Sequence, residues 1–114
     1  MALTDLNELY PTFQRLAREK DIDGLLELYE PNAKIAASPG RLVEGRDAIR
    51  KALEGLLSLG ENPTLTGRFT YETEDGLALS SCAYTVGMIS GNSAELLRRQ
   101  PDGSWKYVLD NPFA

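Results

Sequence analysis

Arg46-Asp47-Ala48-Ile49-Arg50-Lys51-Ala52-Leu53-Glu54-Gly55-Leu56-Leu57-Ser58-Leu59-Gly60-Glu61-Asn62-Pro63-Thr64-Leu65-Thr66-Gly67-Arg68-Phe69-Thr70-Tyr71 carries the change of period that decides the fold. Ile49, Ala52, Leu53, Leu56 and Leu57 recur at three- and four-residue spacings, the apolar stripe of a helix from about Arg46 to Leu59. Gly60 stands where a C-terminal cap belongs. Beyond Pro63 the period drops to two, and Leu65, Phe69 and Tyr71 alternate along a strand.

Working back from that junction, the chain reads as helical with one short extended interlude. Leu3, Leu6, Tyr10, Phe13 and Ala17 share a helix face, with Thr4 or Asp5 as its cap. Pro11 requires that helix either to kink near Tyr10 or to restart there. A second helix starts on Asp21 as N-cap, carries Leu25, Leu26, Leu28 and Tyr29, and stops before Pro31. Ala33 to Ala37 is extended, Ser38-Pro39-Gly40 turns, and Arg41 to Glu44 is a second short strand.

Working forward, four strands are expected between Thr64 and Asp110. Their turns fall at Glu74-Asp75-Gly76, Ser90-Gly91-Asn92 and Pro101-Asp102-Gly103. The long strand Leu77 to Ile89 is apolar or small on both faces, so both are expected to be covered. Helices followed by a meander of strands give an α+β domain, three helices packed on a strongly bent antiparallel sheet. One such domain, spanning 1–114, matches the length of the chain.

Composition narrows function by exclusion. Apolar residues make up 42% and charged residues 25%, ordinary globular usage. Histidine is absent and Cys82 is the single cysteine, which removes the usual general base, the usual zinc ligands and an internal disulfide. No metal and no cofactor are expected, and any chemistry falls to Asp, Glu, Tyr, Lys or Arg. A net charge of −5 speaks against nucleic acid and anionic membrane as partners. No run approaches the ~20 apolar residues of a membrane span. The acidic start, Met1-Ala2-Leu3-Thr4-Asp5, is unlike a signal peptide, so the expected location is cytoplasmic.

Two segments carry a family resemblance. One runs from Asp21-Ile22-Asp23-Gly24-Leu25-Leu26 through Tyr29-Glu30-Pro31-Asn32-Ala33 and Val43-Glu44-Gly45-Arg46-Asp47-Ala48-Ile49. The other is Glu95-Leu96-Leu97-Arg98-Arg99-Gln100-Pro101-Asp102-Gly103-Ser104-Trp105, ending Asp110-Asn111-Pro112. Over nearly its whole length the chain resembles NTF2-like proteins of the SnoaL-like and ketosteroid-isomerase-like branch, particularly small bacterial members. The resemblance implies a cone-shaped fold with an internal pocket, often as a homodimer, and activities ranging from isomerases, cyclases, epoxide hydrolases and dehydratases to binding and assembly domains. At the position of the isomerases' proton-shuttling Asp this chain has Ala37, and at their oxyanion-hole Tyr it has Phe13, so that activity is not expected. Their third site residue has an acidic counterpart in Glu95. Limonene-type epoxide hydrolases need an Asp and an Arg on a central strand, which Leu77 to Ile89 lacks. The acid/base Asp of SnoaL-like cyclases falls near Asp110.

The candidate site is therefore two carboxylates, Asp110 and Glu95, in a pocket lined by Tyr10, Phe13, Tyr29, Ile35, Ala37, Cys82, Tyr84, Leu97 and Val108. Each has a plainer reading. Asp110 before Asn-Pro also suits a turn cap. The aromatics also suit a core, Cys82 a small buried hydrophobe, and Glu95 an ion pair with Arg98, Arg99 or Lys106. Counting back from the Pro101-Asp102-Gly103 turn puts Glu95 opposite residue 109 or 110. Alternation then places Val108 and Asp110 inward with Glu95, and Leu96, Trp105, Tyr107 and Leu109 on an outer face suited to a homodimer. The leading expectation is a binding domain for a small apolar or amphipathic molecule. The alternatives are a cofactor-independent lyase, isomerase or cyclase using Asp110 with Glu95, and an assembly module.

Overall fold

The computed structural model describes residues 2–114. Asp5 caps a single 3-10 turn, Leu6–Glu8, by accepting from the Asn7 amide, and α1 (Leu9–Arg18) restarts from it. Pro11 thus falls in the first turn of α1, where its missing N–H removes no helical bond. Asp21 caps α2 (Ile22–Leu26) by accepting from the Gly24 amide at 2.9 Å. Then come β1 (Tyr29–Ser38), β2 (Arg41–Glu44) and α3 (Arg46–Leu57). The second half is β3 (Thr64–Glu72), β4 (Leu77–Val86), β5 (Ile89–Asn92), β6 (Ala94–Arg99) and β7 (Trp105–Asn111).

The sheet runs β2-β1-β7-β6-β4-β3, with β5 also paired to β4, and it does not close. All its pairs are antiparallel except β1 with β7, so the sheet is mixed. That parallel pair joins the two halves of the chain, through Tyr29 opposite Tyr107 and Ile35 opposite Asp110. Helix α3 buries Ile49, Leu53 and Leu57. Leu9, Leu25, Leu26, Leu97 and Tyr107 complete the centre of the core. Among the described residues no helix is long and apolar enough to cross a membrane.

Four local expectations change. Leu28 and Tyr29 lie beyond α2, which ends at Leu26, and Tyr29 opens β1, a strand that runs on through Pro31. Pro31 is tolerated because the β1–β7 ladder is interrupted between Tyr29 and Lys34. Gly60 is not the cap of α3, whose C-cap is Ser58. Instead Gly60 lies backbone to backbone against Gly87, where a Cβ on either would clash. The long strand divides at Gly87, whose φ of +60° reverses the chain, and Ser90-Gly91-Asn92 lies within β5 rather than forming a turn.

The last correction concerns which side faces in. The β6–β7 register pairs Leu97 with Tyr107 and Leu96 with Leu109, leaving Val108 as an extra residue. This bulge shifts the alternation of β7 by one. Trp105 and Tyr107 are consequently buried, at 4% and 1% exposure, rather than on the outer face. Asp110 is still inward, whereas Val108 is half-buried and out of phase with it.

Candidate functional site

The register sets Glu95 directly opposite Asp110 on the concave side. Both are buried, at 4% and 7% exposure. Each receives a tyrosine hydroxyl: Tyr10 of α1 donates to Glu95 Oε2 at 2.9 Å, and Tyr29 of β1 donates to Asp110 Oδ2 at 2.6 Å. The Tyr10 hydroxyl also bonds Ser80 Oγ at 2.7 Å, and Ser80 Oγ bonds Thr70 Oγ1 at 2.8 Å. A chain of hydroxyls thus runs from the buried Glu95 to β3 at the sheet edge. The turn after β7 is capped by Asn111, which accepts from the Phe113 amide, so Asp110 is free of that duty.

Among the described residues no basic side chain pairs with Glu95 or Asp110. Arg99 lies over the Trp105 ring, 5.7 Å from its centroid, and Arg98 bonds Glu30 at 2.9 Å. Burial, and then the charge of Asp110, push the Glu95 carboxyl up to about 8, partly offset by the Ser93 and Tyr10 hydroxyls. Burial pushes Asp110 up to about 6 against the pull of the Tyr29 hydroxyl. Burial and the neighbouring acids raise Tyr10, Tyr29 and Tyr107 as well, so their hydroxyls stay protonated donors. Burial pushes the Cys82 thiol up to about 12, and Ser93 Oγ donates to its sulfur at 3.2 Å, which makes Cys82 inert as a nucleophile.

Glu95 and Asp110 lie on the wall of a cavity of ≈ 40 Å³ with Phe13, Cys82, Tyr84 and Tyr107. That volume admits about three water molecules or the polar end of a ligand. Outside it lies a groove of ≈ 510 Å³ between α3 and the β1–β2 hairpin, on whose wall stand Ile35 and Ala37. Leu56, Tyr84 and Pro112 belong to both walls, and the Tyr84 hydroxyl donates to the Pro112 carbonyl at 2.6 Å across the partition.

Of the residues expected at the site, Phe13, Cys82 and Tyr84 line the inner cavity, Ile35 and Ala37 line the groove, and Tyr10 and Tyr29 reach the acids through their hydroxyls. Leu97 is wholly buried in the core and lines neither space. Val108 leaves the site because of the bulge. Tyr107, Ser80 and Ser93 are the members that sequence reasoning missed. Ser80 was legible as one of two adjacent serines, with Ser81, on the covered strand β4; Tyr107 was hidden by the bulge. Phe13 sits where a donor was sought, but Tyr10, about one turn earlier, supplies the hydroxyl. Among the described residues no cluster of metal-ligating side chains occurs.

The sequence matches no family model and no curated protein. Its fold nonetheless has close likenesses among solved structures. An NTF2-like protein of unknown function from Shewanella oneidensis superposes with TM-score 0.76 at 16% identity, covering 93% of each chain. Another from Pseudomonas putida gives 0.72 at 18%, over 96% of this chain and 83% of that one. An epoxide hydrolase/cyclase-like enzyme of pyran ring formation in the polyether salinomycin gives 0.68 at 20%, over 94% and 88%. The chain therefore has the NTF2-like fold; at these identities the likeness extends to fold alone.

Proposed function

We propose that this chain is a small-molecule binding domain, working in the cytoplasm, whose ligand approaches through the groove and presents a polar group to Glu95 and Asp110. The observation that carries the reading is the acid pair itself. Two unneutralised carboxyls are held out of water on a cavity wall, each fixed by a tyrosine, and the cavity adjoins a groove within the ~300–1,000 Å³ of small-molecule sites. Burying such groups costs stability that apolar residues would not cost, so a ligand's hydroxyl or carbonyl is their natural partner. Mass spectrometry of protein purified without denaturation tests this. A recurrent bound molecule, lost from Asp110→Asn, is the expected result; a molecule retained equally by that variant would refute it.

A second reading, a cofactor-independent isomerase, lyase or cyclase, is favoured by one specific observation. With Glu95 near 8 and Asp110 near 6, neutral pH leaves one acid protonated beside one ionised, the arrangement of a general acid/base pair. The cyclase-like enzyme with the same fold is consistent with it. The Tyr10–Ser80–Thr70 chain offers the pair a proton route to the sheet edge.

We also propose a homodimer through the convex face of the sheet. Tyr71, Leu79, Leu96 and Leu109 are register partners in sequence across β3, β4, β6 and β7. Tyr71 is 65% and Leu79 46% exposed, and the Phe69 ring stacks on Tyr71 with centroids 5.1 Å apart. A continuous apolar row of this kind suits a self-complementary interface.

A further inference from the structure

The groove outside the inner cavity has a charge character opposite to that of the molecule. The chain carries a net charge of −5, yet the charged residues on the groove wall are Arg41, at the start of β2, and Lys51, in the middle of α3. No carboxylate lines the groove among the described residues. Six of the ten other cations of the chain (Arg15, Lys20, Lys34, Arg46, Arg50 and Arg98) stand in ion pairs with acids, and Arg18, Arg68, Arg99 and Lys106, away from the groove, do not among the described residues. Arg41 and Lys51 have none among the described residues, although Asp47 lies one turn before Lys51 on the same helix. The rest of the wall is apolar. Leu59, Ile89 and Phe113 on its rim are 49%, 47% and 46% exposed, which leaves an apolar strip open beside the two cations. Two unpaired cations beside an exposed apolar trough match a molecule with one anionic end and one apolar body.

We infer that the groove seats a small anionic amphiphile, a medium-chain carboxylate with a polar group at its far end, its anion between Arg41 and Lys51, its apolar body along Leu56 and Leu59 toward Tyr84, and that polar end directed to Glu95 and Asp110. This rests on the binding reading above and narrows its ligand class. A free molecule fits better than a lipid surface, because the trough is concave and the whole molecule repels an anionic membrane. The same overall charge makes the inference demanding. Long-range electrostatics alone would favour a cationic amphiphile, so preference for an anion must come from Arg41 and Lys51.

The test uses three probes of equal chain length, octanoate, 1-octanol and octylammonium, titrated into the labelled protein and followed by methyl and amide NMR shifts. Octanoate is expected to shift Leu56, Leu59 and Ile89 and to bind several-fold tighter than octanol, with octylammonium weakest. Arg41→Gln and Lys51→Gln, both exposed and outside the core, should each weaken octanoate about two- to fivefold while leaving octanol unchanged. Equal binding of octanoate and octanol, or octanoate binding indifferent to both substitutions, overturns the anion assignment and leaves the binding reading standing. No shift at the groove or cavity with any of the three overturns both.

Discussion

Along β6 and β7, neighbouring residues meet opposite environments. Glu95 and Asp110 face each other on the concave side and are 4% and 7% exposed. One position away, Leu96 faces Leu109 on the convex side, where both are only half-buried and continue into the exposed Leu79 and Tyr71. Stability alone would assign these residues the other way round, since each buried acid costs solvation and each wet leucine forgoes burial. The inversion is the observation behind both proposals above, a ligand's polar group inside and another apolar surface outside.

The sharpest way to break that comparison is to show that burial does not predict cost. Leu53→Ala, at a core position 1% exposed, should lose about 2–5 kcal/mol in denaturant unfolding. Leu79→Ala on the convex row should lose less than about 0.5 kcal/mol from the monomer. Similar costs at the two positions would erase the distinction between the faces.

The acid pair predicts an unusual pH profile. Both carboxyls titrate above their ordinary range, so the folded chain holds protons that the unfolded chain has released. Their stabilising contribution is complete below about pH 4 and is lost as pH rises through about 6 for Asp110 and about 8 for Glu95. Stability should fall by about 5 kcal/mol between pH 5 and pH 9, most of it through Glu95, and Glu95→Gln should flatten most of that slope. A profile that rises over the interval would contradict the geometry.

Smaller effects sharpen the picture. Tyr29→Phe keeps the ring contact with Tyr107, at 4.7 Å between centroids, but strips Asp110 of its donor. It should cost about 1–3 kcal/mol at neutral pH and raise the Asp110 titration further. Leu79→Lys should barely change monomer stability while converting a dimer to a monomer in sedimentation at micromolar concentration; wild-type protein that sediments as a monomer there would remove the convex-face proposal.

Much of this was legible in the sequence because it is local. The Asp21 cap, the β1–β2 hairpin and the stripe of α3 follow from residues a few positions apart. Counting across one turn puts Glu95 opposite residue 109 or 110; from the Arg99–Trp105 pair a strict count reaches Leu109, and the Val108 bulge brings Asp110 there instead. What was not legible is non-local or irregular. The parallel pairing of Tyr29 with Tyr107 joins segments from opposite halves of the chain, so Tyr29 read as the end of a helix. The bulge at Val108 has no glycine or proline to announce it, and it turned Trp105 and Tyr107 inward against a strict period of two. Tyr10 and Phe13 share one helix face, and only the position of Ser80 and Glu95 across the sheet decides which of them meets the acid.

The central claim is that Glu95 and Asp110 form an unneutralised, mutually perturbed acid pair. Carbon-13 NMR titration of their side-chain carboxyls measures it directly. The account predicts that both titrate above the ordinary carboxylate range, Asp110 first and Glu95 near 8, with each curve showing a second inflection at its partner's transition. Two independent curves at or below about 4 would contradict it.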